Sequence, residues 1–517
     1  MTITSFYYLL LVFGTVVIYY IVPKAGQWMC LLLASILFYF AAATPYTLVY
    51  VAISTIFAYL GTLYLESGKT AQNKRATYLA LTGVLVNAFL WLVLKGSSFW
   101  IPVISLVGRI FPAMKDTGAI SLIAALGMGY YTLQLIGYIL DCYWGNCRPQ
   151  KNIGKLFLFA CYFPQMTSGP ISRYSQLQDL YEKHAFCYEN IAHGAQRILW
   201  GFLKKLVIAE RAAIIVNEVW SDPGTYQGCY RWLVMLIFPI QMYADFSGAM
   251  DIVIGTSELF GIKLPENFNA PFFSRSLREF WQRWHITLGS WAKDYVLYPF
   301  LKSGFMVRLS KALKKKFGKK AGRFIATELG MLVLWTVLGL WHGAVKYVVG
   351  VNLWYWFVLM LSELCADRLK KLTSFFKINV RCIGWRMVQC FRIYIIFAVG
   401  SVFFRADSLA QGLEFFQGLP GVFAKGASGL SVFCVSFQEW TEGMGLAQKD
   451  IVIFLVAFAL VLAADVLHEK AGSARAWVDR RALPLRWALW TALIFIVVIY
   501  GKYGMEYSSA NFIYQAF

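Results

Sequence analysis

The sequence predicts an all-α, polytopic membrane protein, and its composition and hydropathy lead to that fold class. Of its 517 residues, 59% are hydrophobic and only 15% are charged, whereas about 25% of the residues in soluble domains are charged. The mean hydropathy of the chain is +0.56. Many apolar runs also reach the length of roughly 20 residues that a membrane-spanning helix requires. A single soluble core is therefore excluded.

About ten to twelve of these runs are predicted to cross the membrane as helices, because an open sheet edge is not tolerated in lipid. They lie at roughly 3–22, 27–43, 46–65, 77–94, 119–140, 195–216, 230–250, 325–341, 350–366, 387–404, 451–467 and 487–501. Between 141 and 300, apolar runs alternate with Pro, Gly and charge, which predicts re-entrant and interfacial helices. We expect one membrane domain over 1–517, with N-terminal helices in 1–140, a motif-bearing core in 141–345 and C-terminal helices in 346–517.

The net charge of +21 is concentrated between the apolar runs, which argues against nucleic-acid binding. Basic clusters occupy 302–323, 368–386 and 470–486, and the positive-inside rule places all three in the cytoplasm. The loop 405–450 and both termini are then extracytoplasmic, with the chain in the cell membrane. Ten cysteines are scattered without a pair spaced for zinc, and no metal site is predicted.

His342 is the first candidate for chemistry. Alone among the five histidines, it ends a strongly apolar run, Leu338–Gly343. Ionisable side chains at membrane depth are costly and are usually functional. An imidazole that accepts a proton near neutral pH suits a general base that deprotonates a hydroxyl. From position alone, the alternative is a buried histidine bonded to a neighbouring helix carbonyl.

The second candidate, His285, lies in the segment 278–288. At helical spacing, Trp281, Trp284, Leu288 and Trp291 form an apolar stripe, and Arg278, Gln282 and His285 occupy the adjoining polar face. This pattern predicts one amphipathic helix at the interface or along a cavity. The alternative is an interfacial aromatic belt with snorkelling arginines.

Two further segments combine apolar and polar residues. In 241–251, Asp245 and Asp251 need partners within an apolar stretch, for which the sequence offers Arg275, Arg278 or Arg283. In 162–173, Pro and Gly residues break the helix and predict a re-entrant loop.

In their order, these segments resemble the membrane-bound O-acyltransferases, and within them the bacterial branch of the alginate O-acetyltransferase membrane subunit. The resemblance rests on Tyr162–Arg173, Gly201–Lys205, Asp245–Gly248, Asn267–Pro271, Phe280–Leu288, Leu340–Gly343, Phe403–Ala406 and Phe512–Phe517. One departure is Ala249, where the family commonly has Tyr after Asp-Phe-Ser-Gly.

The resemblance implies a fold around a central tunnel, with His342 as the catalytic histidine and His285 as a second histidine towards the cytoplasmic donor. Further substrate-binding or tunnel candidates are Asp245, Ser247, Trp281, Arg283, Trp284, Trp341, Gln165 and Arg173. The resemblance implies no bound cofactor. The implied co-substrate is an acyl thioester, acetyl-CoA or an acyl carrier protein. The implied acceptor is a hydroxyl of an extracytoplasmic glycan or cell-wall polymer, reached with the help of an SGNH-like acetyltransferase partner.

Two other functions stay open at the level of sequence. The closest sister within the family transfers D-alanine from a carrier protein to teichoic acid. A transporter or flippase would also carry broken spans and intramembrane charge, although the chain has no two halves of similar hydropathy.

Overall fold

The computed structural model of the chain describes residues 1–42, 47–63, 65, 74–95, 127–222, 224–343, 345–420, 441 and 446–503. Over these ranges the chain is mostly helical, and its one β-type pairing is an isolated bridge between Phe268 and Trp284. Eight helices in the described ranges are long and apolar enough to cross a membrane, and two shorter apolar helices accompany them. The prediction of an all-α polytopic membrane protein is therefore confirmed.

The eight candidate spans are Lys24–Ala42, Lys74–Leu92, Cys229–Glu258, Lys319–His342, Lys346–Leu364, Ile383–Arg405, Gln448–Ala471 and Leu483–Tyr500. The shorter apolar helices are Phe6–Ile21 and Leu48–Leu63. The predicted span 195–216 is not among them, because two lysines, Glu210 and Arg211 interrupt its apolar run. Residues 119–126 of the predicted span 119–140 lie outside the described residues.

The described residues form two compact units. The first comprises residues 1–201 and 249–266, and the second comprises residues 202–248 and 267–503. The division falls within the 30-residue helix Cys229–Glu258. The single membrane domain and the central tunnel stay predictions.

The first unit is built on seven α-helices within the described ranges: Phe6–Ile21, Gln27–Ala42, Thr47–Leu63, Lys74–Lys95, Met128–Trp144, Ile153–Cys161 and Tyr188–Phe202. Two 3₁₀ turns, Lys24–Gly26 and Tyr174–Tyr181, connect some of them. Two glycines allow close packing here, because a Cβ on Gly194 would lie 2.6 Å from the carbonyl oxygen of Gly255. Small residues at helix crossings are typical of membrane bundles.

Most of the described helices belong to the second unit. Its α-helices are Glu210–Ser221, Leu277–Arg283, Ile286–Ala292, Tyr298–Lys302, Gly304–Phe317, Lys319–His342, Leu353–Leu364, Ala366–Phe375, Ile383–Arg405, Leu409–Gln417, Gln448–Ala471, Ala474–Asp479 and Leu483–Tyr500. Pro271–Phe273 forms a 3₁₀ turn. Three π-helical segments are Leu203–Ala209, Lys293–Leu297 and Lys346–Asn352, and such segments frequently occur at functional sites.

Candidate active site

His342 is the last residue of the helix Lys319–His342. The helix ends there because Gly343 adopts φ +125°, a conformation that glycine tolerates far better than other residues. The Gly343 N–H still donates to the carbonyls of Gly339 and Leu340, both at 3.1 Å. The sequence Leu338–Gly343 thus places an imidazole at the end of an apolar helix, as predicted.

Aromatic rings surround the half-buried imidazole of His342. Its ring centroid lies 4.8 Å from that of Trp341 and 5.8 Å from those of Tyr347 and Phe404. Tyr347 belongs to the π-helical segment that follows the span. A Cβ on Gly339 would lie 2.7 Å from Cα of Val348, so this glycine lets that segment fold back closely against the end of the span.

His285 lies at a break between two short helices, so the prediction of one amphipathic helix through 278–288 is wrong. The first helix, Leu277–Arg283, begins at Ser276, whose side chain accepts a hydrogen bond from the Glu279 N–H. Trp284 is extended, and His285 has φ +47°. The second helix then begins at Ile286. Helical spacing could not reveal this break, because the extended residues pair with a distant part of the chain.

That distant part is the segment 267–269, which runs antiparallel to 283–286. The Asn269 N–H donates to the Arg283 carbonyl, and the Ile286 N–H donates to the Asn267 carbonyl, both at 3.0 Å. The bridge between Phe268 and Trp284 completes the pairing. Backbone hydrogen bonds therefore hold together 267–269 and 283–286, which belong to two of the segments that carry the family resemblance.

Asn267 fixes the hydrogen-bonding state of His285. The Asn267 Oδ1 atom accepts hydrogen bonds from the Thr287 N–H at 3.1 Å and from the Thr287 hydroxyl at 2.8 Å. It also lies 3.2 Å from Nδ1 of His285. Because the atom that accepts from Thr287 is an oxygen, Nδ1 must be the nitrogen that carries the proton. We therefore assign the lone pair of the neutral imidazole to Nε2.

Burial keeps His285 neutral. The side chain is 5% exposed, and burial lowers its pKa to about 3, because an apolar environment disfavours the charged form. Its ring centroid lies 4.8 Å from that of Phe246 and 6.4 Å from that of Trp341. Trp341 therefore neighbours both histidines, which the structure brings to one aromatic cluster of the second unit.

The other aromatic candidates pack around this cluster. Trp284 is buried, and its ring neighbours Phe268 at 5.0 Å and Phe397 at 4.8 Å. Trp281 neighbours Trp335 at 5.2 Å and Tyr355 at 4.8 Å. Both indoles are therefore packed against other aromatic rings.

Arg283 is held by two carboxylates. Its guanidinium pairs with Glu279 at 2.9 Å and with Glu469. Arg278 pairs with Glu363 at 2.7 Å. These contacts fix the helix Leu277–Arg283 to the helices Leu353–Leu364 and Gln448–Ala471.

The partner of Asp245 is Lys205, so the expectation that an arginine of 275–283 neutralises it is wrong. Both side chains are buried, and they form an ion pair. The neighbouring Lys204 donates to Ser247 Oγ at 2.9 Å and lies 5.8 Å from the ring centroid of Tyr243. The π-helical turn Leu203–Ala209 buries both consecutive lysines. Spacing gave no signal for this pairing, which joins residues 40 positions apart.

Asp251 also has a different partner from the predicted one. In the first unit, Arg197 contacts Asp251 at 3.2 Å, Glu258 at 3.4 Å and Glu266 at 2.6 Å. The single guanidinium of Arg197 thus pairs with three carboxylates. This is a structural network around the end of the helix Cys229–Glu258.

Gln165 and Arg173 lie in the first unit, in the predicted non-helical loop. The Gln165 amide nitrogen donates to the Pro170 carbonyl at 2.9 Å and to Ser172 Oγ at 2.7 Å, and the side chain is 4% exposed. Arg173 is half-buried, and its backbone N–H donates to Gln176. These contacts brace the loop from inside.

Sequence reasoning assigned no role to Lys204, Lys205 and Asn267, although all three lie in the family-like segments. Nothing in the local sequence couples Asn267 to His285, so this contact has no signal at the level of sequence. Over the described ranges, no three His, Cys, Asp or Glu side chains gather into a group that could hold a metal ion.

The structure thus brings together a buried neutral histidine and a second histidine at the end of a candidate span, and both neighbour the indole of Trp341. No family model matches the chain, but individual known proteins are similar to it. A probable alginate O-acetylase of Azotobacter vinelandii is 28% identical over 450 residues, which is 86% of this chain and 80% of the relative.

Two other relatives come from different branches. A peptidoglycan O-acetyltransferase of Helicobacter pylori is 25% identical over 83% of this chain and 79% of the relative. A teichoic acid D-alanyltransferase of Bacillus subtilis is 32% identical over 44% of this chain and 56% of the relative. These similarities agree with the resemblance to the membrane-bound O-acyltransferases. The chain is an acyltransferase, as the ordered motifs predicted.

Proposed function

We propose that this protein transfers an acetyl group from a cytoplasmic thioester to a hydroxyl of an extracytoplasmic polysaccharide or cell-wall polymer, with His342 as the general base. The observation that carries the proposal is the position of His342. It is half-buried at the end of a candidate membrane span, and Trp341 connects it to the second histidine.

The surroundings of His342 suit a base. Its aromatic neighbours limit competition from water, and the C-terminal end of the helix Lys319–His342 carries partial negative charge. That charge favours the imidazolium that forms when the base takes a proton. A base positioned in this way contributes typically about 10²–10⁴-fold to the rate.

The proposed reaction proceeds through one addition and one elimination. His342 takes the proton of the acceptor hydroxyl while the hydroxyl oxygen attacks the carbonyl carbon of the thioester. The carbon–sulfur bond then breaks, the thiolate leaves and the proton on His342 passes to the sulfur. The products are an ester and a thiol, and the base is restored.

His285 has a different role in this scheme. Its buried neutral ring is a weak base, so we assign it to orientation through the lone pair on Nε2. That atom can accept a hydrogen bond from an N–H or O–H group of a substrate. Asn267 holds the ring in this tautomer and is a positioning residue.

Acetyl transfer is favoured over D-alanyl transfer by the extent of similarity. The alginate and peptidoglycan O-acetyltransferase relatives align with more than four-fifths of this chain, whereas the D-alanyltransferase relative aligns with less than half. The donor is acetyl-CoA or an acyl carrier protein. The final transfer to the polymer involves an extracytoplasmic partner related to SGNH hydrolases. None of the named relatives is a transporter.

The proposed orientation places 302–323, 368–386 and 470–486 in the cytoplasm and both termini outside. Over the described ranges, two candidate spans separate each neighbouring pair of basic segments, which supports a common side for all three. Single cysteines in 302–323, introduced after the ten native ones are removed, should resist an impermeant reagent in intact cells and react in inverted vesicles. Labelling of these cysteines from outside intact cells would show that the orientation is the opposite of the proposed one.

Reconstitution tests the function. Purified protein in proteoliposomes, together with its extracytoplasmic partner, is given either acetyl-CoA or a D-alanyl carrier protein with a polysaccharide or teichoic acid acceptor. We expect ester formation from the acetyl donor, and its loss in His342→Gln. Transfer from the D-alanyl donor alone would replace the acetyl assignment with the alternative. Transfer by His342→Gln at the wild-type rate would remove His342 from the mechanism.

A further inference from the structure

The helix Gly304–Phe317 and the beginning of the helix Lys319–His342 enclose a cleft of about 270 Å³. Three of its lining residues are cationic, namely Lys311, Lys314 and Arg323. The remaining lining residues are apolar or carry a hydroxyl: Leu301, Met306, Val307, Ser310, Ala326 and Thr327. Among the residues that the structure describes, no acidic side chain lines the cleft.

A helical hairpin builds this cleft. Gly318 joins the two helices at φ +81°. Gly322 lets their backbones approach closely, because a Cβ there would lie 2.4 Å from the backbone nitrogen of Lys314. Lys311 and Lys314 are three positions apart and share a helix face. Arg323 lies on the facing helix, so the three cations converge on the same space.

The three cations are exposed, and none has an ion-pair partner among the residues that the structure describes. Lys320, in the same hairpin, differs because its ammonium lies 3.4 Å from Asp367. Cations that converge without a carboxylate attract an anion with several oxygen atoms, such as a phosphate.

The hairpin also exposes aromatic side chains. Phe305 is 60% exposed and Phe317 is 50% exposed, so exposed rings precede and follow the two lysines along the helix Gly304–Phe317. The helix Lys319–His342 is a candidate membrane span, and the cleft lies where that span begins. A ligand here meets cations at the headgroup level and apolar side chains below them.

We propose that this cleft binds an anionic phospholipid, with the phosphate against Lys311, Lys314 and Arg323 and an acyl chain along Leu301, Met306 and Val307. Basic pockets between membrane helices are suited to such headgroups. The acyl donor coenzyme A also carries phosphates, but its pantetheine arm has no need of an apolar floor. The site is independent of His342 and of the proposed reaction.

Native mass spectrometry of the full-length protein tests the proposal. Delipidated protein in detergent is titrated with phosphatidylglycerol or with phosphatidylcholine of the same chain length. The cleft variant combines Lys311→Gln, Lys314→Gln and Arg323→Gln. We expect its affinity for phosphatidylglycerol to fall by at least about tenfold, since three basic contacts to an anionic headgroup are removed.

A matched control variant combines Lys315→Gln, Lys316→Gln and Lys319→Gln. It removes the same charge from the same hairpin at exposed positions that do not line the cleft. We expect it to bind phosphatidylglycerol like the wild type. A melting curve of each variant checks that the fold is intact.

Three results would overturn the proposal. Equal loss in both variants would mean diffuse attraction to the basic hairpin. Equal binding of the two lipids by the wild type would mean an apolar groove without headgroup recognition. If the cleft variant loses affinity for coenzyme A and keeps its affinity for phosphatidylglycerol, the cleft holds the soluble donor. Because the readout is lipid binding, it does not depend on whether acetyl transfer is the activity.

Discussion

The two histidines of the candidate active site stand in opposite surroundings. His342 ends a long apolar helix, is half-buried and contacts rings that follow it in sequence. His285 lies in a helix break, is almost fully buried and shares Oδ1 of Asn267 with Thr287. The difference shows how position in the chain sets the surroundings of a histidine. His342 stands among aromatic rings at the end of a span, whereas contact with a distant segment gives His285 one tautomer and burial makes it a weak base.

The largest expected effect comes from removing the base. His342→Gln should reduce single-turnover acyl transfer by about 10²–10⁴-fold and leave the melting temperature unchanged. His285→Ala should reduce transfer less, because its neutral ring orients a substrate and does not take the proton. Transfer of a labelled acyl group and melting in detergent are measured for both variants. An equal and complete loss of acyl transfer in two well-folded variants would show that His342 and His285 do not have different roles.

The next effect is expected at Asn267. Its replacement by alanine removes an acceptor shared by three groups, so the free energy of unfolding should fall by about 1–3 kcal/mol. Misplacement of the His285 ring should also slow transfer by roughly ten- to a hundredfold.

Thr287→Val serves as the control for Asn267→Ala. It removes one hydroxyl and retains the bond between Asn267 and His285, so we expect a smaller loss of transfer. If Thr287→Val slows transfer as much as Asn267→Ala does, Asn267 supports packing and does not position the histidine.

A third test uses pH. The pKa of His285 is about 3 in the folded protein, whereas its ordinary value is about 6.5. Between these values the unfolded state binds the additional proton, so acid lowers the stability of the folded state, by up to about 1.4 kcal/mol for each pH unit below 6.5.

The wild-type protein should therefore lose more thermal stability between pH 7 and pH 5 than the variant His285→Asn. The melting temperature of each is measured at both pH values. An identical decrease in the two proteins would show that His285 does not stay neutral through this range.

The smallest effect is expected at Trp341, which neighbours both histidines. Trp341→Phe keeps an aromatic ring in the cluster, and such ring contacts contribute about 0.5–1.5 kcal/mol. We expect transfer to fall by less than about tenfold with little change in melting temperature. A loss as large as that of His342→Gln would mean that the indole itself takes part in the reaction.

Much of the site could be predicted from sequence, because the information was local. The apolar run before His342 indicated both the span and the position of the imidazole. The ordered segments indicated the family, and the break-prone residues of 162–173 indicated a non-helical loop. In each case the residues that determine the feature lie within a few turns of one another.

The partners of the buried charges could not be predicted in this way. Sequence favoured arginines of 275–283 for the aspartates, yet Lys205 neutralises Asp245 and Arg197 neutralises Asp251. A buried carboxylate requires a cation as its partner, but the local sequence around the aspartate does not specify which cation. That choice depends on which helix faces are brought together by packing.

By itself, the sequence determined an all-α membrane protein with a histidine at the end of a span, since hydropathy and local helix-ending signals are properties of neighbouring residues. Only the tertiary structure decided that His285 lies in a helix break and not on an amphipathic helix. The reason is that its conformation depends on backbone pairing with 267–269 and on the side chain of Asn267, 18 residues away. Hydrogen bonds between distant segments overrode a helical periodicity that the local sequence supports.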